Sequence, residues 1–154
     1  MLRLKKIERS EVSAVVPLFL GESQTRFWED GRSHDRQSAT EMLGGYFLLP
    51  SHHWIMFWSG DVAGYGHVLR SDYLGAWIVS YLVHPKFQGQ GMATAFVEEA
   101  KRFAETEGMG SLYASIHPEN VASIRVAERS GFQLTEQRTN SGDRLYRWPS
   151  QPLA

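Results

Sequence analysis

The chain has 154 residues, of which 42% are hydrophobic and 21% are charged, and its formal net charge is −1. This balance is typical of one soluble globular domain and argues against a disordered chain. It also lacks the basic footprint of a nucleic-acid-binding protein, so no nucleic-acid partner is expected. The absence of cysteine excludes disulfides, cysteine-ligated zinc and a thiol nucleophile, and is compatible with a cytoplasmic location.

No stretch approaches the roughly 18 consecutive apolar residues of a membrane-spanning helix, so no membrane partner is expected. The basic and apolar N-terminus is interrupted by Glu8, Arg9 and Glu11. It therefore indicates a strand and a helix rather than a signal peptide. The histidines show no paired ligand spacing, so no metal site is expected.

The predicted elements follow one another in the order β-α-α-β-β-β-α-β-α-β-β. Alternating apolar and charged residues predict a strand over 2–7, and Ser10 is expected to cap a helix over 11–20. Ser33 is expected to cap a second helix that ends near Gly44-Gly45. The remaining elements are a hairpin about Gly60-Asp61, a strand over 76–84, a helix over 91–107, a strand over 111–117, a helix over 118–131 and a hairpin over 133–149. These elements form one mixed-sheet α/β domain over residues 1–154.

The stretch VHPKFQGQGMATAF, Val83–Phe96, joins a predicted strand to a predicted helix. Pro85 removes one donor, and Gly89 and Gly91 leave backbone N–H groups without a Cβ in the way. The helix begins at once, so its unpaired N–H groups and its dipole face the same spot, which predicts a cradle for a phosphate or pyrophosphate. It is not a Walker loop, because no Gly-Lys-Ser/Thr occurs. It is also a poor dinucleotide-binding fingerprint, because Thr94 stands at the position of the third glycine.

Two motifs make the sequence resemble the GCN5-related N-acetyltransferase (GNAT) superfamily. The run Gln88-Gly89-Gln90-Gly91-Met92-Ala93 satisfies the family's acetyl-coenzyme A signature, Arg/Gln-x-x-Gly-x-Gly/Ala. Downstream, Asn120–Phe132 is similar to the family's other coenzyme A segment, Asn-x-x-Ser/Ala followed by a helix and Gly-Phe. The residues of these two segments most resemble the branch that includes ribosomal-protein N-terminal acetyltransferases (RimJ/RimL-like) and some small-amine acetyltransferases.

The resemblance implies an α/β (α+β) single-domain fold. Its sheet would be mixed, mostly antiparallel and seven-stranded, with a splayed central parallel strand pair, and it would carry about four helices. Acetyl-coenzyme A would be the cosubstrate and would enter the splayed gap, where the amide of Leu82 or Val83 would polarise the thioester carbonyl. The residues implied to bind it are Leu82, Val83, Gln88, Gly89, Gln90, Gly91, Met92, Ala93, Thr94, Asn120 and Ser123. The family also allows a homodimer.

The catalytic acid and base depart from the family pattern. Many members have a tyrosine seven residues after the position of Asn120 that protonates the departing thiolate, and here that residue is Ala127. Ser123, one helical turn after Asn120, is the best replacement donor, although a serine there often only binds backbone near the helix start. The predicted central strand carries no carboxylate to act as base. The alternatives are a base acting through water, Tyr81, His117 and Glu119.

The segment 21–35 mixes aromatic rings with carboxylates, and by resemblance it forms one wall of the acceptor site. Such a wall would suit a cationic amine. The candidate acceptor-binding residues are Glu22, Trp28, Glu29 and Asp30. A solvated loop with one anchoring tryptophan is an equally good reading of the same residues.

The implied activity is transfer of an acetyl group from acetyl-coenzyme A to a primary amine, by direct attack in a ternary complex. The acceptor would be a peptide N-terminus or a small amine metabolite. Because neither the usual acid nor the usual base is visible, a non-catalytic acyl-coenzyme A-binding module is the alternative. A nucleotide-phosphate binder that uses the same glycine loop is a third and weaker reading.

Overall fold

The computed structural model describes residues 1–21, 25–29 and 31–149, which form one sheet with helices packed on both faces. The strands are β1 Leu2–Ile7, β2 Ser51–Trp58, β3 Asp61–Ser71, β4 Ala76–Val83, β5 Leu112–Ile116, β6 Gln133–Arg138 and β7 Arg144–Trp148. The helices are an N-terminal 3₁₀ helix Arg9–Phe19, α1 Arg36–Tyr46, a short 3₁₀ turn Pro85–Phe87, α2 Met92–Thr106 and α3 Val121–Arg129. This order confirms the succession of strands and longer helices predicted from the sequence.

The sheet has seven strands in the order β1-β2-β3-β4-β5-β7-β6, and β4–β5 is its one parallel pair. That pairing covers only Trp77 with Leu112 and Ile78 with Tyr113. Beyond Ile78, β4 continues its pairing with β3 while β5 continues with β7. The two central strands therefore separate, which confirms the predicted splayed pair and opens a gap in the middle of the sheet.

Each face of the sheet has its own hydrophobic core. The helices α2 and α3 cover one core, and the 3₁₀ helix and α1 cover the other. Strand β4 contributes to both because successive side chains point to opposite faces. Val79 and Tyr81 face α2 and α3, whereas Leu82 belongs to the opposite core. Within the ranges above, no helix is long and apolar enough to cross a membrane.

The first helix begins two residues earlier than predicted and has a different cap. It is a 3₁₀ helix from Arg9, and its N-cap is Glu8 rather than Ser10. Glu8 and Glu11 cap each other reciprocally, since the side chain of each accepts from the backbone of the other. A carboxylate on both sides satisfies two terminal N–H groups, which a single Ser10 hydroxyl could not do.

Helix α1, in contrast, begins later than predicted, because its N-cap is Asp35 and not Ser33. The carboxylate of Asp35 accepts from the backbone N–H of Ser38 at 2.7 Å. The helix then runs through Gly44 and ends at Tyr46, slightly beyond the predicted stop. This short extension places Tyr46 where its phenol contacts Trp28 and Glu29 in the loop that precedes α1.

Candidate functional site

The loop before α2 presents open backbone amides. Gly89 and Gly91 have φ angles of 82° and 79°, in the left-handed region that glycine tolerates best. A Cβ on either glycine would meet no atom within 4 Å, so the space above the loop is free. Gly91 is the N-cap of α2, and no side chain caps the helix. The first-turn amides of α2 and the positive end of its dipole are thus directed at open space, as an anion cradle requires.

The hydrogen bonding of β4 decides which of its amides face the gap. The amide of His84 donates to the carbonyl of Ala63 on β3 at 2.8 Å. Because bonded and non-bonded pairs alternate along an antiparallel ladder, Leu82 also directs its amide at β3. The amides of Tyr81 and Val83 point the other way, into the gap. Of the two predicted thioester-binding amides, Val83 is therefore the one available, and Leu82 is not.

The gap on the α2 and α3 side is narrow and mostly apolar. The residues that line it are Val79, Tyr81, Val97, Ala114, Ile116, Ser123, Val126, Ala127 and Phe132. The tyrosine phenol and the serine hydroxyl are the polar side-chain groups of this set. The cavity measures only about 10 Å³, so an extended thioester arm would have to move these walls apart in order to enter. The apolar lining would then contact its methylene groups, and the exposed strand amides would pair with its amides.

Tyr81 and Ser123 come together in this gap. Burial raises the pKa of the Tyr81 phenol, and the neighbouring Ser123 side chain opposes part of that rise. The phenol therefore stays protonated at neutral pH, which makes it a proton donor rather than the base considered above. Asn120 caps α3, since its side-chain oxygen accepts from the Ser123 amide at 3.3 Å.

His117 is not brought to this pair. It follows β5, and its Nδ1 accepts from the backbone N–H of Glu119 at 3.0 Å. Its ring centroid lies 5.4 Å from that of Phe27, in the loop before α1. Glu119 forms an exposed ion pair with Arg26 at 3.4 Å. These contacts tie the loop to the end of β5 on one side of the gap.

A second cavity, of about 390 Å³, lies on the opposite face of β4. Its lining residues are Glu29, Ser80, Ser115, Thr139, Ser141 and Asp143. We call it the polar cleft. Ser80 lies between Val79 and Tyr81 in β4, so the polar cleft and the apolar gap adjoin the same three residues of one strand. The lining carries two carboxylates and four hydroxyls, and none of these lining side chains is basic.

Sequence reasoning found Glu29 but missed the other residues of the polar cleft. Alternation along β4 could have placed Ser80 opposite Tyr81. The hairpin residues Thr139–Asp143 and Ser115 carried no local signal, because tertiary packing alone brings the β6–β7 turn over this face. In that turn, the Asp143 carboxylate accepts from the Ser115 hydroxyl at 3.3 Å. The exposed Tyr73 donates to Asn140 at 3.3 Å and joins the β3–β4 turn to the same hairpin.

The predicted acceptor wall is divided by the structure. Glu29 lines the polar cleft, and its carboxylate accepts a hydrogen bond from the Tyr46 phenol. Trp28 does not line the cleft: only 6% of it is exposed, and its ring packs edge-on against Phe19 at 5.1 Å. Its indole N–H donates to the Tyr46 oxygen at 3.1 Å. Glu22 and Asp30 lie outside the described residues.

Behind the polar cleft lies a buried chain of hydrogen bonds on β2 and β3. Tyr65 Oη is 2.7 Å from His53 Nδ1 and 2.9 Å from His67 Nδ1. His53 Nε2 is 2.8 Å from the Ser51 hydroxyl. His67 stands opposite Ser80 in the β3–β4 register. Burial lowers the pKa of His67 to about 3 and that of His53 to about 4, so both are neutral imidazoles near pH 7.

Residues 1–133 match the model of the acetyltransferase (GNAT) domain family. None of the curated protein sequences is a detectable relative of the chain.

Several solved structures have a similar fold at low sequence identity. A putative acetyltransferase, yncA from Salmonella typhimurium, solved with acetyl-coenzyme A, is 20% identical at a TM-score of 0.74, over 95% of this chain and 92% of that one. RimL, a ribosomal-protein alpha-N-acetyltransferase in complex with coenzyme A, is 19% identical at a TM-score of 0.74, over 95% and 92%. The aminoglycoside acetyltransferase AAC(6')-Ib with coenzyme A is 14% identical at a TM-score of 0.76, over 96% and 93%.

Proposed function

This chain belongs to the GNAT acetyltransferase family, and we propose that it transfers the acetyl group of acetyl-coenzyme A to the primary amine of a small cationic acceptor. One observation carries the proposal: the apolar gap and the polar cleft meet at β4, on either side of Ser80. An acetyl group held at the gap would lie within reach of an amine in the cleft. Direct attack then needs little more than the correct orientation of two bound substrates.

The donor would bind along the gap and the glycine loop. The amides of Tyr81 and Val83 offer an extended partner for the pantetheine arm, and the open amides after Gly91 suit its pyrophosphate. The cosubstrate supplies an activated acetyl thioester. The Val83 amide is the candidate donor to the thioester oxygen, whose negative charge grows as the amine attacks.

The pair of Tyr81 and Ser123 is the candidate acid for the leaving group. Both groups line the gap, and the tyrosine is held in its protonated form by burial. Ala127 leaves space at the family's usual tyrosine position. A phenol that reaches the gap from β4 could therefore replace a phenol that reaches it from α3.

The acceptor is proposed from the charge and borders of the polar cleft. Glu29 and Asp143 attract a cation, and the hydroxyls of the lining suit a polar skeleton. Contacts join the loop before α1 to β5 and the β3–β4 turn to the β6–β7 turn. These bridges around the cleft favour a small amine over a longer chain. The amino end of a peptide is the other acceptor that the family resemblance allows.

Release of coenzyme A against matched acceptors tests the proposal. A terminal diamine, the amino alcohol of the same length and the amino acid of the same length differ only in the charge of the far end. We expect the diamine to have the highest kcat/KM and the amino acid the lowest. The reverse order would overturn the cationic acceptor, and binding of acetyl-coenzyme A without turnover of any amine or peptide would indicate the non-catalytic module instead.

A further inference from the structure

Glu29 occupies a constrained position at the edge of the polar cleft. Its φ angle is 53°, a left-handed conformation that is uncommon for a residue other than glycine, asparagine or aspartate. Two turns flank it, since the Trp28 amide donates to the Thr25 carbonyl at 3.0 Å and the Gly31 amide donates to the Trp28 carbonyl at 2.9 Å. Non-glycine residues held in this region are concentrated at functional sites.

The side chain of Glu29 is oriented as firmly as its backbone. One carboxylate oxygen accepts from the Tyr46 phenol, which in turn accepts from the Trp28 indole N–H. Burial raises the pKa of Tyr46, and the charge of Glu29 raises it further, so this phenol remains a donor. A buried tryptophan thus anchors a tyrosine, which anchors one oxygen of an exposed carboxylate at the cleft. Within residues 1–21, 25–29 and 31–149, the second carboxylate oxygen of Glu29 has no comparable hydrogen bond.

The other side chains that the sequence offered as bases, and the buried His67, lie outside the polar cleft or already have partners. Tyr81 lies on the opposite face of β4 and is kept protonated by burial. His117 accepts a backbone N–H, and Glu119 pairs with an arginine in solvent. His67 is buried behind the cleft.

We propose that Glu29 accepts the proton of the attacking amine and that Tyr46 positions it. The inference rests on the proposed function. In the step it describes, the Glu29 carboxylate takes a proton from the bound ammonium group and passes it to solvent. The neutral amine nitrogen then bonds to the acetyl carbon, the carbon–sulfur bond breaks, and the thiolate takes a proton from the Tyr81–Ser123 pair. The surplus N–H proton of the new amide returns to that pair through solvent, so atoms and charge balance: ammonium and thioester give amide, thiol and one proton.

The test compares Glu29→Gln, Tyr46→Phe and the double variant in the diamine assay. Glu29→Gln should lower kcat about 10²-fold at pH 7, the usual scale of general base catalysis, without a comparable change in KM for acetyl-coenzyme A. The loss should shrink as the pH is raised, because the amine then loses its proton to solvent. The titratable groups around Glu29 are Tyr46 from α1, which donates to it, Tyr65 from β3, whose pKa is raised by burial and further by the charge of Glu29, and Asp143 from the β6–β7 turn, which lines the same cleft.

The double variant separates positioning from a purely structural effect. Tyr46→Phe alone should lower kcat about fivefold to tenfold, within the usual coupling range of hydrogen-bonded neighbours, but it should have little effect once Glu29 is glutamine. A structural role would lower kcat by the same factor in both backgrounds. Melting temperatures of all variants identify any that fail to fold.

Two further variants serve as references. Glu105→Gln removes an exposed carboxylate at the far end of α2 and should leave kcat and KM unchanged. Asp143→Asn removes the other cleft carboxylate and should raise the KM of the diamine more than it lowers kcat.

The outcomes distinguish the two proposals. Full activity of Glu29→Gln, or a loss that does not change with pH, would overturn the role of Glu29 while the acetyltransferase reaction stands. Equal effects of Tyr46→Phe in both backgrounds would overturn its positioning role. An inactive wild-type protein with every amine tested would overturn the proposed function itself, and the role of Glu29 with it.

Discussion

Gly66 of β3 lies directly against the ring of Phe96 on α2: a Cβ on Gly66 would stand 2.3 Å from Cζ of that ring. Phe96 is fully buried, and its ring also packs edge-on against Trp54 at 5.7 Å. Because no side chain separates the two, α2 approaches the sheet closely next to β4. This contact fixes the height of the α2 N-terminus above the gap.

Gly66→Ala should therefore disturb the packing of α2 against the sheet. The added methyl group overpacks the core, and the free energy of unfolding should fall by about 1–3 kcal/mol, as measured by urea denaturation. Gly45→Ala is the matched control, since a Cβ there meets nothing within 4 Å and the site is inside a helix. That control should gain up to about 1 kcal/mol. Equal stabilities of the two variants would contradict the close contact.

Gly91→Ala should weaken binding of acetyl-coenzyme A more than it weakens the fold. The residue has φ 79° and open space around it, so alanine strains the backbone and turns the first amides of α2 away from the anion. Gly108→Ala, at φ 65° beyond the other end of α2, imposes a similar strain away from the loop. By isothermal titration calorimetry, we expect Gly91→Ala to bind acetyl-coenzyme A about tenfold more weakly, a loss of about 1.4 kcal/mol. Gly108→Ala should bind it as tightly as the wild type does. Equal loss in both would indicate a general effect of strain.

Removal of the hydroxyl groups in the gap should slow turnover without preventing donor binding. Tyr81→Phe should lower kcat about 10²-fold, the low end of general acid catalysis, and Ser123→Ala should lower it less. Because burial raises the pKa of Tyr81, the wild-type rate should not fall from ionisation of this donor below about pH 10, where an ordinary tyrosine ionises. Steady-state kinetics against pH measures both. An unchanged kcat in Tyr81→Phe would remove Tyr81 from the mechanism.

The two buried histidines should make the fold sensitive to acid. Folding lowers the pKa of His67 to about 3 and of His53 to about 4, from 6.5 in the unfolded chain. The unfolded state thus binds more protons between these values, so this stability is complete above about pH 6.5 and is lost as the pH falls. Between its unfolded and folded pKa values, each histidine should lower the free energy of unfolding by about 1.4 kcal/mol for every unit by which the pH falls.

Urea denaturation between pH 4.5 and 7.5 measures this slope. Tyr65→Phe removes the hydrogen bonds between the two rings but leaves them buried. Because burial is the main cause of the shifts, that variant should be less stable at every pH yet keep the same slope. A flat profile in the wild type would show that the histidines are not buried as neutral groups.

The donor half of the site could be predicted from the sequence, and the acceptor half only in part. The glycine loop and the start of α2 form one continuous segment, so spacing alone indicated an anion site. The choice between the Leu82 and Val83 amides stayed open, because it depends on which β4 residue bonds to Ala63. From the sequence, Glu29 and Trp28 had the same predicted role in the acceptor wall. In the structure, Glu29 lines the cleft, whereas Trp28 is buried in the core.

The sequence by itself determined the order of the elements and an anion site at the start of α2, since both follow from local patterns: strand alternation, helix starts and two glycines that free a helix terminus. The resemblance of two motifs to the coenzyme A segments of the GNAT superfamily then indicated the fold family and the donor. Only the tertiary structure decided the polar cleft. Glu29, Ser80, Ser115 and Asp143 are far apart along the chain and carry no shared spacing. They meet because β4 and β5 diverge and two loops close over the same face of the sheet, and no local rule encodes a meeting of that kind.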